Sequence, residues 1–158
     1  MLLPFFTWLE SLHFGAVVDN SGYFVAAINV THLLALAIFV GAVLVLDLRL
    51  IGSGMSKQSV ARVSKNTQPW LIGGFLALAI TGILQIVATP MKVYYSANFW
   101  TKVDLLVVAV LFTFLVRRRV AQMDEARLGP VWGKVVGLVS IVLWMTIAVE
   151  GRLIGLLQ

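Results

Sequence analysis

The chain has 158 residues, of which 60% are hydrophobic and only 12% charged. Soluble domains are about half apolar and a quarter charged, so this composition belongs to an integral membrane protein. No cysteine is present, which excludes disulfides, iron–sulfur clusters, thiolate zinc sites and c-type haem attachment and leaves the redox compartment open. In a membrane chain the net charge of +5 marks cytoplasmic loops, and nucleic acid is set aside as a partner.

The opening stretch MLLPFFTWLESLHFGAVVDN lacks a basic segment, and Glu10 and His13 interrupt its apolar run, so it does not read as a secretory signal. Leu9, Leu12 and Ala16 recur at helical spacing beside Phe5 and Trp8, which predicts a short interfacial helix over about 4–18.

Crossing the hydrocarbon takes about 20 apolar residues. Four segments qualify, about 23–47, 70–89, 99–117 and 132–156. The expected fold class is therefore all-α integral membrane: one four-transmembrane-helix bundle over residues 1–158, with the interfacial helix in front. Pro69 and Pro130 sit where helices can open without losing a hydrogen bond, and Pro90 follows the second span. Trp70, Trp100 and Trp132 fall at membrane–water interfaces, whereas Trp144 lies within the fourth span as a packing residue. Gly73, Ala77, Thr81 and Gln85 recur every fourth residue, as do Gly133/Gly137 and Gly151/Gly155, a spacing that lets helix backbones approach in lipid.

Charge sets the direction. Arg49, Lys57, Arg62 and Lys65 fill the first connection, and Arg117, Arg118, Arg119, Arg127 and Lys134 the third, while the other side has only Lys92. The positive-inside rule then puts both termini outside.

Each span also contributes a polar group to one layer in the outer half. At about 1.5 Å per residue, His32 lies roughly 4–5 Å outward of its span centre, Lys102 and Asp104 roughly 6–9 Å, Gln85 and Glu150 about 8 Å and Arg152 about 11 Å. Asn29 flanks the His32 face, which also carries Leu36, Phe39 and Val43, with Ala27, Ala37 and Gly41 on the far side. Two acids and two bases permit neutralising pairs across helices, with Glu150 and Lys102 as one candidate. The inner half reads as apolar until the basic loops, with Asp47 and Arg49 closing the first span at the surface. Plainer roles exist for each: Lys102 and Arg152 can snorkel, His13 can be interfacial, and His32 can be a packing imidazole bonded to Asn29 or a carbonyl.

Three functional classes fit His32. Haem b needs an axial imidazole and an apolar pocket, with His13, Met145, Met91 or the His32 of a second protomer as the other ligand. Two histidines exclude a two-haem cytochrome. Copper suits imidazole and thioether, although no Met-x-x-x-Met or His-x-His cluster is present. The third class is an accessory subunit without a cofactor, its polar layer structural or proton-conducting. No nucleophile–base pair, phosphate loop, dinucleotide fingerprint or metalloprotease motif occurs, so catalysis by this chain alone is not expected.

THLLALAIFVGAVLVLDLRLIG (31–52) resembles the first-span signature of an uncharacterised family of small four-span bacterial membrane proteins, whose His-bearing helix ends in Asp-Leu-Arg-Leu-(Leu/Ile)-Gly. NFWTK (98–102) and AVEGRLIG (148–155) resemble its third- and fourth-span signatures. More loosely, the first span is similar to the membrane domain of copper-resistance D-type proteins, whose further histidines and methionines are missing here. The resemblance implies a recurring fold with His32, Asp47, Arg49, Lys102 and Arg152 at matching positions, and no established activity. Glu150 stands where that family often has a small residue. The expectation is a multi-pass bacterial inner-membrane protein in the lipid bilayer, working as a homo-oligomer or within a larger complex. It would bind haem b through His32 for electron transfer, with an accessory subunit or a copper-binding or copper-transport protein as the alternatives.

Overall fold

The computed structural model describes residues 2–12, 22–54, 57–123 and 131–156, with side chains described as far as Gly151. Among these residues the regular structure is all helical: α1 (Leu3–Ser11), α2 (Gly22–Ile51), α3 (Val60–Ala88), α4 (Pro90–Tyr94), α5 (Ala97–Gln122) and α6 (Trp132–Leu156). Four of them, α2, α3, α5 and α6, are long and apolar enough to cross a membrane. In lipid the backbone must satisfy its own polar groups, and a continuous helix does this turn by turn.

The helices depart from the expected spans chiefly at the basic end, where Arg62, Lys65, Arg118, Arg119 and Lys134 are exposed. Helix α2 continues past Asp47 to Ile51 and stops at Gly52, whose φ is +86°. There the Ser53 N–H bonds back to the Leu48 carbonyl at 3.0 Å, the closure that a left-handed residue permits. Helix α3 begins at Val60, not at Pro69, with the Ser59 hydroxyl capping the Arg62 N–H at 3.3 Å. Its first turns bury Val60, Val63 and Thr67 and expose Arg62 and Lys65, so amphipathic sequence continues the helix where the apolar run has ended. Pro69 therefore lies inside the helix and leaves the Lys65 carbonyl without its helical donor. Both residues are exposed, where a polar solvent can supply the missing bond.

Helix α5 also outruns its expected end at 117, and Phe112–Arg117 within it is wound as a π-helix. The N-terminal helix ends at Ser11; residues 13–18 of the predicted interfacial segment, His13 among them, lie outside the described residues. Helix α1 packs on α4. Its Phe6 is buried, with ring centroids 5.2 Å from Tyr94 and 6.3 Å from Trp100.

Helix α2 packs along α3 and α6, and α6 packs on α5. Helix α3 meets α5 through its Arg118–Gln122 end and through the Phe75–Phe114 ring contact at 6.3 Å; no comparable packing joins α3 to Ala97–Leu111. Phe39, Val43, Ala109, Trp144 and Ile147 belong to one core, in which the Trp144 ring stands edge-on to Phe39 at 4.5 Å. Leu46, Leu50, Val63, Val120 and Val136 belong to a second core at the basic end. Between lipid-facing helices, close packing supplies what the hydrophobic effect supplies in water. Two glycines set that closeness. A Cβ on Gly74 would lie 3.0–3.1 Å from Phe39 backbone and Cβ atoms, and one on Gly137 would lie 2.9 Å from the Asp47 carbonyl oxygen.

Candidate functional sites

Two polar sites sit on α2, separated by the aromatic core. At 1.5 Å per residue, His32 and Asp47 are roughly 22 Å apart along the helix.

At the α1 end, His32 is half-buried and its Nδ1 lies 2.7 Å from the Thr81 hydroxyl of α3. Thr81 Oγ1 also lies 2.7 Å from the Ala77 carbonyl, to which it donates its single hydrogen. The hydroxyl must then accept from His32, which places the ring proton on Nδ1. In the neutral imidazole that leaves Nε2 with its lone pair. One turn further along, the Gln85 amide donates to Asn29 Oδ1 at 3.1 Å, so two layers of side-chain hydrogen bonds join α2 and α3. Gly82 lies beside the ring, where a Cβ would be in ordinary van der Waals contact with His32 Cε1 at 3.8 Å. Lys102 of α5 is within electrostatic range of His32. Its ammonium lies against the bare backbone of Gly151 on α6, 3.0 Å from where a Cβ would stand.

The structure thus brings together His32, Asn29, Gln85 and Lys102 from the expected layer, with Thr81 as the member that sequence reasoning had assigned only to a packing row. Asp104 is exposed on α5 and Glu150 is half-buried on α6. Among the described residues neither forms an ion pair with Lys102. Met145 is 47% exposed, while its neighbour Trp144 turns inward. The side chain of Arg152 and all of His13 lie outside the described residues.

At the basic end, Asp47 is wholly buried and Arg117 nearly so, and Arg117 Nε donates to Asp47 Oδ1 at 2.6 Å. Arg117 Nη2 donates to the Val43 carbonyl at 3.0 Å. The sequence reading, which left Asp47 at the surface, Arg117 in a loop and this half apolar, is therefore corrected. The π-helical stretch carries both Thr113 and Arg117 into the core, a local rewinding of the kind that often marks special positions. Thr113 accepts from Trp144 Nε1 at 3.0 Å. Ser140 of α6 faces the Asp47 carboxylate. Neither Asp47 Oδ2 nor Ser140 Oγ finds a well-aligned partner, although both are fully buried. Arg49 stays nearer the surface and donates to the Gln58 carbonyl at 2.6 Å, fastening the connection to α3.

Four helices long and apolar enough to cross a membrane, with buried polar contacts between them, point to a small membrane protein. Residues 5–157 match the family described as Family of unknown function (DUF6644), and the chain belongs to that family. No curated protein and no solved structure matches it.

Proposed function

We propose that the protein is a small inner-membrane subunit, a four-helix bundle with both termini outside, that holds haem b on His32 for electron transfer within an oligomer or larger complex. One observation carries this reading: His32 Nδ1 lies 2.7 Å from the Thr81 hydroxyl, and the tautomer that donates there leaves Nε2 free as a ligand atom. Ligating histidines characteristically donate their other ring N–H to such a second group, which sets the tautomer and the ring plane. Haem asks only one or two axial side chains of the protein. A bare metal ion asks for more, and among the described residues no three His, Asp or Glu side chains converge. The nearby Lys102 ammonium also disfavours a bare cation, so copper fits less well than a group that carries its own negative charge. The basic end would face the cytoplasm, in keeping with its exposed arginines and lysines.

The test is an absorption spectrum of the detergent-purified protein, oxidised and then reduced with dithionite. A Soret band that sharpens on reduction in wild type, and is absent from a folded His32→Gln variant, is expected. His13→Gln or Met145→Leu should share that loss only where it removes the second ligand. Wild type with neither chromophore nor metal, and His32→Gln merely less stable, would leave the accessory-subunit reading in its place. Orientation is checked separately. Cysteines replacing Gln58 and Gln122 should label with impermeant reagents only after the inner face is opened, and one replacing the exposed Tyr95 should label in intact cells.

A further inference from the structure

We infer that Lys102 anchors an anionic phospholipid, its ammonium holding the phosphodiester beside Gly151 of α6. Four observations lead there. Lys102 does not extend freely along the helix surface: it is half-buried, with its ammonium laid against Gly151. No salt bridge or hydrogen bond to it is formed among the described residues, and the nearest acid on its own helix, Asp104, is exposed. The neighbouring His32 cannot neutralise it. The α3 backbone stays apart from the Ala97–Leu111 part of α5, although Phe75 and Leu78 of one and Leu105 and Leu106 of the other pack on the same core.

An ammonium withdrawn from water requires a counter-charge or hydration. Lys102 lies about 9 Å along α5 from its cap Ser96, so the site is within reach of the headgroup layer yet below it. A phosphate oxygen offers a charge-assisted bond to the ammonium. Helices α3 and α5 expose apolar side chains along their length, Ile80, Ile83 and Val107 among them, as surface for acyl chains generally. A free phosphate would satisfy the charge alone, without using that apolar surface. The glycine is part of the site, because a methyl at 151 would press on the ammonium at 3.0 Å. This inference does not require a group on His32; an anionic one there would share the same ammonium.

The experiment is native mass spectrometry of the full chain in mild detergent, titrated with phosphatidylglycerol and, separately, with inorganic phosphate. Wild type and Lys102→Arg should bind one phosphatidylglycerol, and Lys102→Met should bind it roughly tenfold more weakly or worse, the loss expected for one charge-assisted contact. Gly151→Ala keeps the charge but crowds it, and should weaken binding by a smaller factor. Millimolar phosphate that leaves the lipid in place supports the phospholipid as occupant. Phosphate that binds by itself, and only when Lys102 is present, supports the same anion site with a free ion as its source. Equal phosphatidylglycerol retention by wild type and Lys102→Met, or binding of neither probe by wild type, would overturn the proposal.

Discussion

The two ends of α2 solve the problem of a buried polar group in opposite ways. At the basic end, Asp47 meets Arg117 directly, the charges cancel, and both side chains are closed off from the surroundings. At the α1 end, His32 and Lys102 are only half-buried, carry no counter-charge among the described residues, and border helices that do not close on each other. A site whose charges are paired and buried holds a structure together, even with Asp47 Oδ2 and Ser140 Oγ left without an aligned partner. A site left incomplete has capacity for something else. This contrast ties the Asp47–Arg117 pair to architecture and leaves the His32 region as the candidate site, and each half of it can be broken.

The largest effect is expected at the closed site. Removing one partner of a buried ion pair strands the other, at a cost of about 3–5 kcal/mol. Asp47→Asn or Arg117→Met should each destabilise the protein by that amount in detergent unfolding, with the spectrum of any bound chromophore unchanged per folded molecule. Replacing both with apolar residues, Asp47→Leu with Arg117→Met, should recover most of the loss. A single substitution that costs under about 1 kcal/mol would mean the pair is hydrated and α2 is not fastened to α5 there.

Next in size comes the packing that seats this pair. Gly137→Ala places a methyl 2.9 Å from the Asp47 carbonyl oxygen, where only a shift of α6 against α2 can relieve the contact, for about 1–3 kcal/mol. Gly41 has no atom within 4 Å of its Cβ position, so Gly41→Ala should stay within about 0.5 kcal/mol. Equal effects would show that the α2–α6 approach is not set by glycine.

Which of these features could be read from sequence follows the same division. The four spanning helices were legible because 20-residue apolar runs have few alternatives. The inward face of α2 was legible from helical phase, with Phe39 and Val43 buried and Ala27 and Ala37 exposed as expected. His32 was legible as an ionisable group inside an apolar run. Arg117 was not, because it opens the triplet Arg117-Arg118-Arg119 and shares the composition of a cytoplasmic loop. Helix phase separates it from its exposed neighbours, since it follows the buried Thr113 by four residues, but only once α5 is known to continue past 117. Asp47 was misread for the same reason: its partner is 70 positions away. The start of α3 was hidden because its amphipathic first turns carry charges that end a hydropathy run. The Gly73–Ala77–Thr81–Gln85 row meets α2 at Thr81 and Gln85 but not at Gly73, which is open while Gly74 meets Phe39.

A smaller effect is expected at the open site. Thr81→Val removes the acceptor for His32 Nδ1–H. Hydrogen bonds between membrane helices average about 0.6 kcal/mol and reach at most about 1.7, so stability should fall only that far. Ligand affinity should fall further, by about 10–100-fold, because the support that fixes the imidazole is lost. A Thr81→Val protein that binds its chromophore as tightly as wild type would show that His32 is not the ligand or does not depend on this tautomer.

The smallest expected quantity is a coupling. If the outer layer were a charge network, Glu150→Gln would strand Lys102, and Lys102→Met in the same chain would recover the loss. The structure gives a different expectation. Glu150 is half-buried, no ion pair joins it to Lys102, and the Lys102 ammonium instead lies against Gly151. Groups that do not share a partner add, within about 0.5 kcal/mol. A double-mutant cycle on Glu150 and Lys102 in detergent should therefore return a coupling no larger than that. The same cycle on Asp47 and Arg117 should return one several times larger. A strong Glu150–Lys102 coupling would mean that the ammonium reaches the carboxylate in the folded protein. Lys102 would then have its counter-charge, and the open site would be as complete in itself as the closed one.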